Sequence, residues 1–185
     1  MDHRKLRAVP VPFFGRTSRA VRRLYLRSFP KAEQLPLPLL HAISLRRSCH
    51  FLAWFEEGAS APCALSYAYV IQDLAYIGFL AVDQTLRSRG VGTRILQEFQ
   101  RRYPDKVHVL EIEPVEEDAE NAEQRLKRLA FYERNGFTPT NLTTHQFGED
   151  YTVLTRNGSV APERLEHVLD NFGFGLVRTT VTVDD

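Results

Sequence analysis

At 185 residues, 43% hydrophobic and 25% charged, the chain has the make-up of one soluble globular domain spanning 1–185, which excludes a disordered regulator or a fibre. Its 24 Lys and Arg nearly cancel 23 Asp and Glu, for a net charge of +1; a dedicated nucleic-acid binder is far more basic, so no nucleic-acid partner is expected. Cys49 and Cys63 are too few for a zinc site or a disulfide framework and read as reduced thiols of a cytoplasmic protein, and no apolar run approaches the ~18–20 residues of a membrane span.

The opening is rich in arginine and, before Glu33, holds Asp2 as its only acid. Such a stretch can mark a transit peptide. Residues 6–11, however, alternate like an edge strand, and Thr17 and Ser18 are placed to cap a helix with Ala20, Val21, Leu24 and Tyr25 on one face. A short helix is predicted over 39–46, then strands over 51–55, 64–72 and 74–82 in an antiparallel meander. Residues 90–102 form an amphipathic helix with Val91, Ile95, Leu96, Phe99 and Tyr103 inward and Pro104 as its stop. A strand over 107–112 and an acidic segment over 113–123 lead to a helix that ends at Asn135-Gly136, with the glycine placed for a left-handed cap. Strands near 143–147 and 151–155, a helix over 162–170 and a β-like run over 175–183 complete the chain, and residues from about 141 onward read as an appendage. Strand, helix, strand in the middle implies a right-handed crossover with local parallel pairing. The fold class is therefore α+β, with a mixed, mostly antiparallel sheet.

The most informative segment is Arg87-Ser88-Arg89-Gly90-Val91-Gly92-Thr93, between a strand and a helix start. Glycines remove the Cβ atoms that keep an anion from the backbone, and the first amides of a helix point outward with partial positive charge. Such a turn binds phosphate without a metal, and Arg87, Arg89 and Arg94 can add charge-assisted bonds. The alternative is a glycine turn with solvated arginines. A dinucleotide fingerprint lacks its third glycine, and a P-loop lacks its Gly-Lys-Ser/Thr.

Arg87, Gly90 and Gly92 match the Gln/Arg-x-x-Gly-x-Gly/Ala signature of the GNAT superfamily of N-acetyltransferases, which the chain resembles. Phe79-Leu80-Ala81-Val82-Asp83 looks like that family's fourth strand, and Leu129-Ala130-Phe131-Tyr132-Glu133-Arg134-Asn135-Gly136-Phe137 like its helix ending in F-Y-E-x-x-G-F. The likeness is specific over about 74–137 and topological elsewhere. One departure is Arg125, where family members often carry Asn seven residues before the tyrosine.

The resemblance implies helices on both faces of the sheet and a splayed central strand pair. It implies acetyl-CoA as co-substrate and no metal, with the pyrophosphate on Arg87 and the amides of Arg89, Gly90, Val91, Gly92 and Thr93. Pantetheine would pair with the backbone of Leu80, Ala81 and Val82, and the amide near Val82 would stabilise the oxyanion. The acceptor would be a primary amine, a small molecule or a peptide. Tyr132, a neutral phenol at pH 7, would protonate the leaving thiolate; its alternative is a boundary tyrosine packing its ring. Glu111 and Glu113 alternate onto one face of the fifth strand as candidate bases, or are solvated acids at a strand end. His50, His108 and His145 read as structural. An inactive acyl-CoA sensor and a nucleotide-binding regulator are the competing functions. A homodimer using the run 175–183 follows only from the frequency of dimers.

Overall fold

The computed structural model describes residues 5–146, 148–172 and 179–184. Among the described residues eight strands follow the order β1-β2-β3-β4-β5-β7-β6-β8, and the chain divides into two compact units that share strand β4, Leu74–Val82.

The first unit holds β1 (Leu6–Pro10), α1 (Arg16–Ser28), α2 (Leu37–Ile43), β2 (Cys49–Glu56), β3 (Ala64–Val70), β4 from Ile77, and α3 (Val91–Arg102). Strands β1, β2 and β3 pair antiparallel, with Leu6 opposite Glu56 and Phe51 opposite Tyr67. Alternation along β2 sends Phe51 and Trp54 to opposite faces. The Phe51 ring meets His41 of α2 at 5.4 Å, while Trp54 meets Phe99 of α3 at 6.2 Å, so helices cover both faces. Trp54 Nε1 donates to Ser66 Oγ at 2.9 Å, which satisfies the one polar group of a fully buried indole. Tyr25 of α1 stands edge-on to Phe79 of β4, with ring centroids 5.2 Å apart. Each Phe or Leu buried in this way contributes about 1.5–3 kcal/mol.

Two boundaries differ from expectation. Thr17 and Ser18 lie inside α1, which starts behind Gly15 (φ 103) with no side-chain cap; the Ser18 hydroxyl donates back to the Phe13 carbonyl at 3.1 Å. Helix α2 begins before residue 39 because Pro38 falls in its first turn, where a missing N–H costs nothing.

The second unit takes β4 up to Tyr76, β5 (Val107–Ile112), α4 (Ala122–Glu133), β6 (Thr138–Gln146), β7 (Glu149–Arg156), α5 (Pro162–Phe172) and β8 (Thr180–Val183). The parallel ladder of β4 and β5 runs from Leu74–Val107 to Tyr76–Val109, although β5 continues to Ile112. Strand β7 lies antiparallel beside β5, so the segment expected as an appendage supplies an inner strand of this unit. Strand β6 starts at Thr138; a register shift between Pro139 and Thr143 hides its first half from alternation. The expected terminal run 175–183 lies partly outside the described residues. Thr180–Val183 pairs antiparallel with β6 at the end of the strand order, so one side of the segment expected to bind a second copy is taken up within its own chain. No described helix is long and apolar enough to cross a membrane.

Candidate functional site

In the first unit, β4 ends in alternation, with Ala81 buried and Leu80 and Val82 half-buried. Asp83 then caps a short 3-10 turn, accepting from the Thr85 amide at 2.9 Å and the Thr85 hydroxyl at 2.6 Å. These bonds, with the charges of Arg27 and Arg87, hold its carboxyl below the ordinary value. The chain next passes through two left-handed residues, Ser88 (φ 61) and Gly90 (φ 74), and enters α3 without a side-chain cap. The Arg94 amide closes a helical bond onto the Gly90 carbonyl at 3.0 Å, so the amides before it are the outward-pointing ones of a helix start. Arg87, Ser88, Arg89 and Gly90 are exposed, Gly92 and Thr93 half-buried, and Val91 buried. A Cβ on Gly90 would meet nothing within 4 Å. The space beside Gly90 is therefore open, and φ is what requires glycine there. Arg94 does not join this anion cradle: it pairs with Glu56 at 2.9 Å, contrary to expectation.

In the second unit, Glu111 of β5 is held by three donors. Its Oε2 accepts from Tyr76 Oη at 2.5 Å and from Gln146 Nε2 at 3.0 Å, and its Oε1 accepts from the Thr144 hydroxyl. Tyr76 comes from β4, and Thr144 and Gln146 from β6. Burial pushes the Glu111 carboxyl above its ordinary value, against the opposing pull of the three hydrogen bonds.

Glu113 lies just past the end of β5 and turns to another set of partners. Arg128 Nη1 and Asn121 Nδ2 donate to it, the latter at 3.2 Å, and Arg125 stands 3.7 Å away. Burial would raise this carboxyl, but the bonds from Asn121 and Arg128 and the charges of Arg128 and Arg125 outweigh it and hold it down. The expected pairing of Glu111 and Glu113 on one strand face does not form, because β5 stops at Ile112.

The end of α4 is a Schellman motif. Gly136 (φ 81) donates to the Glu133 carbonyl at 2.9 Å, and the Phe137 amide donates to the Tyr132 carbonyl at 3.1 Å. The rings of Tyr132 and Phe137 meet edge-on at 5.8 Å, the apolar contact such a motif carries. Burial pushes the Tyr132 phenol up to about 12, with Arg128 opposing. On α4 Leu126 is 56% exposed, whereas Arg125 is half-buried. Arg125 replaces the family's asparagine with a structural clamp, donating to Asn121 Oδ1 at 2.8 Å and to the Pro114 carbonyl at 2.9 Å.

The family model for the acetyltransferase (GNAT) domain matches residues 46–139, just over half of the chain. The chain belongs to the GNAT family. A Bacteroides thetaiotaomicron protein assigned to that family is similar with TM-score 0.66 at 21% identity, over 92% of this chain and 97% of the other. A GNAT acetyltransferase from Elizabethkingia anophelis, solved with acetyl-CoA bound, gives 0.59 at 15% identity over 82% and 97%. The ribosomal-protein-S18-alanine N-acetyltransferase of Escherichia coli gives 0.58 at 19% over 86% and 97%. These likenesses show the fold, whose mixed, mostly antiparallel sheet is the expected one. No curated protein matches the chain.

Of the residues singled out from this GNAT sequence, the loop residues 87–93 gather at one helix start, and Glu111 sits in a built polar cluster. Tyr76, Thr144 and Gln146 were not foreseen. They meet Glu111 from 33 to 35 positions away, and no local motif encodes that meeting. His145 bridges Asp150 (2.6 Å) and Thr182 (2.9 Å), a cross-strand structural role. Among the described residues no group of His, Cys, Asp and Glu is arranged to hold a metal ion.

Proposed function

We propose that this GNAT protein transfers the acetyl group of acetyl-CoA directly to a primary amine, on a small molecule or a peptide, within a ternary complex. The observation that carries the reading is the uncapped start of α3 behind exposed Gly90, flanked by exposed Arg87 and Arg89. Outward amides, the helix dipole and two guanidiniums suit a diphosphate. The acetyl-CoA in the E. anophelis relative and the alanine acceptor named for the E. coli relative agree with this chemistry.

Acetyl-CoA supplies the activated thioester. The amides of Arg89, Gly90, Val91, Gly92 and Thr93, with Arg87, hold its diphosphate, and the backbone of Leu80, Ala81 and Val82 orients its pantetheine arm. The Val82 amide stabilises the oxyanion. Glu111 takes a proton from the arriving ammonium; the C–N bond forms as the C–S bond breaks, Tyr132 protonates the departing thiolate, and the second proton that the nitrogen sheds on becoming an amide returns through water to the Tyr132 phenolate. A phenol raised to about 12 stays protonated at neutral pH, as a donor must. Glu113, tied to Arg128, is left out of the base role. Two unpaired buried thiols suit the reducing cytoplasm, where we place the reaction.

One observation favours the sensor reading: Tyr132 already has a structural use in closing α4, which a protein without turnover would also need. Thiol release from acetyl-CoA across a panel of small and peptide amines tests the transfer. Tyr132→Phe should keep CoA binding and slow transfer by about a hundredfold or more. If no amine releases thiol while CoA still raises the melting temperature, the protein is a sensor. If ATP or NAD stabilises it in place of CoA, the acyl-CoA reading fails.

A further inference from the structure

A carboxylate offers about four lone-pair sites, two on each oxygen. On Glu111, Oε2 receives both Tyr76 and Gln146, and Oε1 receives Thr144. That leaves one site, on Oε1, without a partner among the described residues. The side chains come from β4 and β6, on either side of β5 and its neighbour β7, so the carboxylate is fixed from two directions. Tyr76 is itself fixed, buried with its ring edge-on to Phe172 of α5 at 4.9 Å. Thr144 is fully buried.

We propose that Tyr76, Thr144 and Gln146 are positioning residues that aim Glu111, filling three of its lone pairs so that the fourth, on Oε1, is the one place where the acceptor amine gives up its proton. This rests on Glu111 being the base. In the step, the ammonium N–H bond breaks, the proton moves to Oε1, the nitrogen keeps the electron pair it uses in attack, and the acid later returns its proton to water. On the sheet face of Glu111 lie Tyr76 from β4, Val153 opposite it and Tyr151 two residues away on β7, and Thr144 and Gln146 from β6. Of these described neighbours only Tyr76 and Tyr151 carry a titratable group, and none is an Asp, Glu, Lys, Arg or His. The proton affinity of Glu111 is thus set by enclosure against three donors, and each donor favours the ionised form.

The test is a carboxyl NMR titration of the full chain with 13C-labelled glutamate, the Glu111 signal being the one that Glu111→Gln removes. Tyr76→Phe and Thr144→Val should each move the Glu111 midpoint upward by about one pH unit, the size expected for one lost bond to a charged group. Thr144→Ser, which keeps the hydroxyl, should titrate like the wild type. Equal midpoints in all four proteins would overturn the positioning role even if Glu111 is the base. The base assignment fails separately if the acid limb of acetyl transfer, measured with the best amine of the panel, persists in Glu111→Gln. A Thr144→Val limb that moves with the NMR midpoint, and a Thr144→Ser limb that does not move, support both.

Discussion

Between Ser88 and Thr93 the groups offered to a ligand are main-chain amides, whereas around Glu111 they are side chains from separate strands. The loop needs only a backbone path, φ 74 at Gly90, and freedom from added Cβ atoms. Most side-chain changes there leave the amides where they are. The Glu111 cluster has the opposite construction: its backbone is ordinary strand, and the removal of one hydroxyl takes away one of the three hydrogen bonds on the carboxylate. A ligand common to a whole family suits the first construction, since any sequence can make amides. A proton transfer suits the second, because proton affinity is set by particular neighbours.

The contrast can be broken at either end. Glu111→Gln should lower the rate of acetyl transfer by about a hundredfold to ten-thousandfold, the usual worth of a general base, and leave CoA affinity unchanged. It should also stabilise the fold at neutral pH. A carboxyl whose native pKa is raised contributes stability below its unfolded value, near 4.5, and that contribution is lost as pH rises through the native value. The glutamine variant should therefore melt higher than wild type at pH 7 and near the same temperature at pH 4. An unchanged melting curve at pH 7 would mean that the cluster does not enclose the carboxylate as described.

Gly92→Val acts on the other side of the contrast. A β-branched side chain at the second residue of α3 should crowd the diphosphate and cost CoA about a hundredfold in affinity, or about 2.7 kcal/mol. The fold should survive, because glycine is the poorer helix former by a few tenths of a kcal/mol or more. Gly90 is a less clean probe. Its left-handed φ makes any replacement cost about 1–2 kcal/mol in stability, even though a Cβ would find open space. Calorimetric titration with CoA alongside a melting curve separates the two effects.

The same contrast explains what could be read in advance. Strands rich in aliphatic and aromatic residues, such as Leu74–Val82 and Val107–Ile112, were legible to the residue, and so were the glycines that begin α3 and end α4. Strand β6 was legible only in its second half, where pairing resumes at Thr143 after the shift. Glu111 was marked as a candidate, but the donors that define it depend on β6 lying next to β7 and on a parallel ladder that reaches only to Tyr76. Those are facts of topology. Glu113 was misread because alternation was carried one residue past the end of its strand, where Arg128 captures it.

The smallest effect concerns α3 beyond its start. Glu98 sits 22% exposed between Arg101 and Arg102, and the hydrogen bond from Arg101, with that from Arg102, brings its carboxyl down to about 2 against the cost of partial burial. A depressed carboxyl stabilises the fold above its unfolded value, near 4.5, and this support is lost as pH falls through about 2. Exposed pairs spaced i,i+3 and i,i+4 are worth little, so Glu98→Gln should lower the Tm by only about 1–2 °C at pH 7 and by less at pH 3. CoA affinity should not move, because a helix start that binds through its own amides is indifferent to ion pairs two turns away. A fall in affinity together with the small loss of Tm would show that the amides are held by the helix's side chains, and the division between a backbone site and a side-chain site would then fail at the backbone end.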